Sequence, residues 1–276
     1  MNTYFIDHRD ERELARLLMQ DNLFNEIIAM VPEQFAPRGN ARILDLACGP
    51  GGWALQVAQA YPQCSVVGVD ISERMIAYAR AQAEARELAV QFRIMNILRP
   101  WDFPDSYFDL VNARFIDGLC PAASLEPLLR ECLRVLRPGG VLRITETVHM
   151  SAPTSPATER LQEMVHVAMY QAGYSFSPYE MATNVVGARF LKYLGFKRMT
   201  LVPYVIDLSA DSPVHQPMLE NLQMADNLLR PFIAKTQICS LEEFDRLTEA
   251  QFREWNERDF CAHWFVCSLV ACRANE

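Results

Sequence analysis

The chain has 276 residues, half of them hydrophobic, with 26 Lys and Arg against 34 Asp and Glu for a formal net charge of -8. That length can bury one substantial core, so one large domain, or a domain with a modest cap, is expected. An acidic balance with no basic run longer than a couple of residues disfavours a nucleic-acid partner, whose phosphates call for cationic side chains.

The opening MNTYFIDHRDERELARLL is charged from its seventh residue onward and lacks the apolar stretch of a signal peptide, which predicts a cytoplasmic protein. Residues 10–31 then form an amphipathic helix, with Leu14, Leu17, Leu18, Asp21 and Phe24 towards one side. From about residue 41, short β-branched runs alternate with helical patterns, the mark of a parallel sheet wrapped by helices. ARILDLA is a strand, GWALQVAQAY a helix, SVVGVD a strand, SERMIAYARAQAEAREL a helix capped by Ser72, and VQFRIMN a strand. FDLVNA is the fourth strand, SLEPLLRECLRVL a helix stopped by Pro138-Gly139-Gly140, and VLRITETV the fifth strand.

Beyond it, Ser155-Pro156 opens one helix closed by Gly173, and Ser177-Pro178 opens another closed by Gly195, so 151–195 reads as a helical cap inserted in the sheet. FKRMTLVPYVIDL is a strand, 214–235 and 241–257 are helices, the second with a Ser240/Glu243 capping box, and CAHWFVCSLVACR is the last strand. The run WFVCSLVAC is too short to cross a bilayer as a helix, so no membrane span is expected. The eight cysteines are scattered with no C-x-x-C pair, which favours free thiols and no metal site.

The chemistry begins at ILDLACGPGGWA, residues 43–54. Gly49, Gly51 and Ala54 satisfy G-x-G-x-x-A and Asp70 ends the next strand, which is also the dinucleotide fingerprint of an NAD-dependent oxidoreductase. Asp45 speaks against a diphosphate, because its carboxylate repels phosphate and attracts an ammonium group. Asp70 suits ribose hydroxyls in either ligand class. Asn96 can pair with the exocyclic amine of adenine between Ile97 and Leu98.

The runs LDLACGPGGWALQVAQAYPQCSVVGVDIS, MNILRPWDFPDSYFDLVNARF and LLRECLRVLRPGGVLRITE, spanning about 40–147, resemble the class I S-adenosylmethionine-dependent methyltransferases related to the ubiquinone and menaquinone enzymes. The resemblance implies a Rossmann-like α/β fold: a seven-stranded, mainly parallel sheet with an antiparallel last strand beside the sixth, helices on both faces and the α-helical cap insertion. It implies a division into a 1–39 N-terminal helical lid, a 40–150 S-adenosylmethionine-binding core, the 151–195 cap and a 196–276 return to the sheet. By resemblance, Asp45, Ala47, Gly49 and Gly51 line the methionine end, Asp70 and Ile71 the ribose and adenine, and Asn96, Ile97 and Leu98 the adenine edge. Ala113, Arg114 and Phe115 face the sulfonium and amino-acid end, and Tyr4 and Gln20 of the lid close over the cofactor. Two departures from the family pattern stand out. Ala47 replaces its first glycine, which is expected to need only ordinary backbone angles. Asn96 replaces the commoner Asp, and its amide oxygen can accept the same hydrogen bond.

Methyl transfer from a sulfonium needs a positioned nucleophile and exclusion of water. If the acceptor is a phenol, enol or acidic carbon, a base adds rate. Candidates are His149 beyond the fifth strand and His166 and Tyr170 on the cap, with Glu146 as a substitute unless backbone donors hold it. Tyr174, Phe176 and Tyr179 of the cap suggest a pocket for a flat or hydrophobic small molecule. A homodimer stays open. The rival readings are an NAD-dependent oxidoreductase and a repurposed member that binds the cofactor structurally or catalyses a cyclisation.

Overall fold

The computed structural model describes residues 11–181 and 183–275. Seven strands form one sheet: β1 (Arg42–Leu46), β2 (Ser65–Asp70), β3 (Val90–Ile94), β4 (Phe108–Arg114), β5 (Leu136–Ser151), β6 (Phe196–Asp207) and β7 (His263–Arg273), in the order β3-β2-β1-β4-β5-β7-β6. The first five pair in parallel, whereas β7 lies antiparallel between β5 and β6. This is the sheet the resemblance implies.

Strands buried on both faces must be apolar almost continuously, and β1 shows how period-two alternation divides them. Ile43 faces one layer with Val66, made by helices α2 (Gly52–Ala60) and α3 (Glu73–Ala85). Leu44 and Leu46 face the other, made by α4 (Leu125–Val135) and residues such as Leu191 of α6 (Thr183–Tyr193). The expected caps form: Ser72 accepts from the Met75 amide at 3.4 Å, and Ser240 accepts from the Glu243 amide at 3.1 Å at the head of α8 (Leu241–Trp255).

Three expectations change. β5 runs on to Ser151, so His149 lies within a strand, after an irregularity in the pairing with β7 between Thr147 and His149. Ser177-Pro178 opens no helix. The Ser177 hydroxyl accepts from the Tyr179 amide at 3.2 Å, closing a local turn, and the helix begins only at Thr183. That helix, α6, packs on the sheet rather than capping it. The layer over the carboxyl ends of the strands is instead drawn from α1 (Glu11–Ile27), α5 (Pro156–Gln171), α7 (His215–Thr236) and α8. Leu161 and Met169 of α5 meet Leu228, Phe232 and Ile233 of α7 and Phe244 of α8 in one apolar cluster. Asn221 of α7 donates to the Arg16 carbonyl at 3.0 Å and ties α1 to this layer. No helix among the described residues is long and apolar enough to cross a membrane.

Candidate cofactor and acceptor site

A cavity of about 380 Å³ runs from the turn after β1 to the helical layer. The turn is made by three left-handed residues, Ala47 (φ 50), Gly49 (φ 53) and Gly51 (φ 84). Ala47 thus does not keep ordinary angles. Its side chain bears the steric cost of the left-handed region, roughly 1–2 kcal/mol, because the chain must reverse at once for the Cys48 amide to reach the Val69 carbonyl at 2.9 Å.

Ala47 and Gly49 line the cavity; Gly51 does not. A Cβ on Gly51 would lie 2.7 Å from the Phe92 ring and 3.0 Å from the Ala79 side chain, so its role is packing of α2 on α3 and β3. Ala113 is likewise in the core, 1% exposed, because alternation along β4 turns it into the layer of α4.

Asp45 lines the cavity and is buried. Its Oδ1 accepts from Asn112 Nδ2 at 2.6 Å, and Asn112 Oδ1 accepts in turn from Arg143 Nε at 2.7 Å. Arg143 also donates to the Ala29 carbonyl at 2.6 Å, with its guanidinium 5.2 Å from the Trp53 ring centre. Burial raises the Asp45 carboxyl to about 7 against the pull of Arg114 and Asn112. Burial likewise lowers Arg143 to about 9. Each charged form is costly here and is held by its hydrogen bonds.

Asp70 sits across the turn, its Oδ2 accepting from the Gly49 amide at 3.0 Å and its Oδ1 from the Ser72 amide at 2.8 Å. Each carboxylate oxygen has a second lone pair, so this fixes the group without exhausting its acceptor capacity. Asn96 Oδ1 accepts from the Leu98 amide at 2.9 Å, shaping the loop that brings Asn96, Ile97 and Leu98 to the cavity beside Ile71.

At the other flank Arg114 donates to Asn25 at 2.7 Å and to Asp21 at 3.0 Å, clamping α1 to the end of β4. Gln20 lines the cavity and accepts from Arg16 at 2.6 Å, while Arg16 is paired with Glu13 at 2.7 Å. Phe115 lines it too, its ring centroid 4.6 Å from that of Phe24. Tyr4 lies outside the described residues.

Towards the helical layer the cavity is lined by Leu161, Val165 and Met169 of α5, Leu222 and Leu229 of α7 and Trp264 of β7. His149 and His166 both line it. His166 Nδ1 stands 3.1 Å from the Tyr179 carbonyl, which only accepts, so that nitrogen carries the hydrogen and Nε2 is left as an acceptor in the neutral ring. Burial, followed by the nearby His149, lowers the His166 pKa, although its hydrogen bond to Tyr179 opposes this.

The aromatic residues expected here are elsewhere. Tyr170 is 48% exposed because it falls in the last turn of α5, one position past Met169 on the buried stripe, and Tyr179 is 84% exposed in the loop that follows. Tyr174 packs on Phe232 with ring centroids 6.5 Å apart, and Phe176 on Phe190 at 6.3 Å. None of the four lines the cavity.

Glu146 is held by backbone donors, the Ile116 amide at 2.7 Å and the Asp117 amide at 3.5 Å. Asp117 and Asp226 are cavity-lining carboxyls that the sequence reading did not single out. Asp226 accepts from Gln251 at 2.8 Å, and burial raises it to about 7. Asn112 and Arg143 were also missed. Their signal was a polar residue inside the apolar runs FDLVNA and VLRITETV, where a fully buried strand leaves no neutral place for it. Among the described residues, no group of three or more His, Cys, Asp or Glu side chains is placed to hold a metal ion.

The donor set suits one kind of ligand. Two carboxylates flank a bulk-free turn, an amide sits farther along, and the guanidinium groups that reach the cavity, Arg16 and Arg114, are engaged by Glu13 and Asp21. Among the described residues a diphosphate would meet carboxylates and guanidinium groups already ion-paired, whereas an ammonium, ribose hydroxyls and an adenine edge each meet an acceptor. A parallel sheet of this order, with such a site at the carboxyl ends of β1 and β2, defines an α/β domain that binds a nucleoside cofactor.

Comparison with known proteins agrees and narrows the class. A family model described as a methyltransferase domain matches residues 43–140. A demethylmenaquinone methyltransferase of Thermus thermophilus is 45% identical over 105 residues, 38% of this chain and 46% of that protein. The methyltransferase pytC of Aspergillus terreus is 30% identical over 178 residues, 61% of this chain and 52% of that protein. The chain thus spans about half the length of the curated relatives it matches. Among solved structures, phosphoethanolamine N-methyltransferase 2 of Haemonchus contortus, with S-adenosylhomocysteine bound, superposes with a TM-score of 0.53 at 20% identity, covering 95% of this chain and 52% of that one. YcgJ of Bacillus subtilis gives 0.51 at 16% identity, covering 87% and 94%. Over residues 43–140 the chain is similar to the class I S-adenosylmethionine-dependent methyltransferases.

Proposed function

We propose that the whole chain transfers a methyl group from S-adenosylmethionine to a small, apolar organic acceptor in the cytoplasm. The observation that carries this reading is the pair Asp45 and Asp70 on either side of a glycine turn, where among the described residues the guanidinium groups lining the cavity, Arg16 and Arg114, are engaged by Glu13 and Asp21. When bound, the cofactor supplies an electrophilic methyl on a sulfonium. Asp45, oriented by Asn112, receives the ammonium of the methionine end; Asp70 receives the ribose hydroxyls; Asn96, Ile97 and Leu98 hold the adenine edge. Gln20 and Phe115 close that end against water.

The acceptor lies between α5 and α7, its apolar body against Leu161, Val165, Met169 and Leu229, with His149 and His166 as polar anchors that orient it. Methyl transfer is an in-line displacement, so holding the nucleophile and excluding water supply much of the rate. The names of the Thermus and Deinococcus relatives, both demethylmenaquinone methyltransferases, make reduced naphthoquinones the first acceptors to test.

Calorimetry with S-adenosylmethionine, S-adenosylhomocysteine and NADH tests the cofactor. Binding of the first two and not the third is expected, and tight NADH binding alone would refute the reading. Incubation with methyl-labelled cofactor and 1,4-naphthohydroquinone, then with a panel of phenols, tests transfer. Release of no S-adenosylhomocysteine across the panel would favour a cofactor-binding member with other chemistry.

A further inference from the structure

Asp117 and Glu146 form a buried carboxyl pair on the cavity wall, one just after β4 and the other in β5. The Glu146 side chain is fixed by the Ile116 and Asp117 amides, and neither Asp117 oxygen makes a hydrogen bond of good geometry. The polar neighbours of Asp117 are Glu146 itself and the Thr183 hydroxyl from α6. Among the described residues the Cys120 thiol also faces the pair, pushed up to about 12 by burial and then by the two carboxyls. Among the described residues no Arg, Lys or His is ion-paired with either carboxyl.

Two carboxylates this deep and this close cannot both ionise without a compensating charge, so the pair keeps one proton between them until such a charge arrives. Burial raises Asp117 to about 7 and raises Glu146 well above the usual carboxylate range.

Resting on the methyl-transfer reading above, we infer that Asp117 and Glu146 together are the proton acceptor of the reaction, emptied of their shared proton when a cationic methyl donor enters the cavity and refilled from the acceptor. The pair gives its proton to solvent as a fixed positive charge arrives. In the transfer, the acceptor's bond to hydrogen breaks and its proton passes to the pair. The freed electrons form the bond to the methyl carbon, while the carbon–sulfur electrons stay on sulfur. The product is uncharged, so the pair retains the proton until the next donor binds. The histidines fit this step less well. An imidazolium would share a poorly solvated cavity with a cationic donor, whereas a carboxylate pair is neutralised by the proton it takes.

The test needs no acceptor. S-adenosylmethionine and S-adenosylhomocysteine both carry the ammonium that Asp45 meets, so the difference in protons released on binding isolates the sulfonium charge. Calorimetry at pH 7 in buffers of different ionisation heat should show S-adenosylmethionine releasing on the order of half a proton more than S-adenosylhomocysteine. Asp117→Asn and Glu146→Gln should abolish the difference, while Asp226→Asn keeps it. Equal release by the two ligands in the unaltered protein, or a difference that survives both substitutions, would overturn the inference. Infrared difference spectra of the unaltered protein give a second reading should the variants fold poorly. The spectrum with S-adenosylmethionine minus that with S-adenosylhomocysteine, recorded for the unaltered protein and for Asp226→Asn, should show loss of a neutral-carboxyl band in both, and a difference spectrum without that loss would also overturn the inference. If neither ligand binds, it is the methyl-transfer reading itself that fails.

Discussion

Asn112 donates to Asp45 across 2.6 Å while its own carbonyl oxygen accepts from Arg143 across 2.7 Å, so one neutral amide stands between a buried carboxyl and a buried guanidinium and bonds to both. The arrangement orients the Asp45 carboxylate towards the cavity without the direct ion pair that would neutralise it. Asn112→Ala leaves both charged groups short of a partner. We expect a stability loss of about 1–3 kcal/mol, read by urea unfolding, and S-adenosylhomocysteine affinity reduced at least tenfold.

Asp70→Ala removes the acceptor for the Gly49 amide as well as the proposed ribose contact. Cofactor affinity should fall by about 1.5–3 kcal/mol through loss of charge-assisted hydrogen bonds. Calorimetry measures this directly, and unchanged affinity would contradict the ribose assignment.

The glycines of the turn should behave differently on substitution. Gly51→Ala drives a methyl group into Phe92 and Ala79 at a left-handed position and should destabilise the fold by about 1–3 kcal/mol. Gly49→Ala meets only Leu17 at 3.8 Å, so its methyl group costs little beyond the left-handed strain and intrudes on the ligand instead. Melting temperature should drop for Gly51→Ala, and ligand affinity should drop mainly for Gly49→Ala.

Stability of the ligand-free protein should decline as pH rises from about 4 to about 7. An unfolded Asp ionises near 4, whereas burial keeps Asp45 and Asp226 protonated up to about 7 in the fold. Between those values the native state binds more protons than the unfolded chain, so its advantage shrinks with rising pH. Asp226→Asn removes one contributor, and urea midpoints across this range should then fall less steeply.

His166→Ala should impair transfer to the acceptor while S-adenosylhomocysteine affinity stays within about threefold, as expected for a group on α5 that faces the acceptor end. Paired measurements of turnover and ligand binding separate the two effects.

The parallel half of the sheet, the turn and the cavity-lining carboxyls Asp45 and Asp70 were legible because each depends on local pattern: apolar runs such as RILDL, a glycine-rich turn, and acids in or at the end of strands. What escaped is non-local. Asn112 and Arg143 acquire their role only when β4 lies between β1 and β5, and Asp117 meets Glu146, 29 residues further along the chain, only when the sheet brings them together. The cap aromatics misled because a tyrosine packs as readily on Phe232 or in water as on a ligand, and helical spacing alone does not say which turn reaches the cavity. The left-handed Ala47 was hidden for the opposite reason: alanine gives no hint of a positive φ.

The placement of β7 between β5 and β6 orders the birth of the protein in time. During synthesis β6 leaves the ribosome with no strand to receive its edge, and it must wait for residues 263–273, more than fifty positions later, to slot in beside it. Trp264 travels on that late strand, so a nascent chain lacking it has an unfinished wall around the ligand chamber. Maturation of the binding chamber is therefore coupled to the emergence of β7, and the slow, long-range closure of this strand is the step most exposed to misassembly.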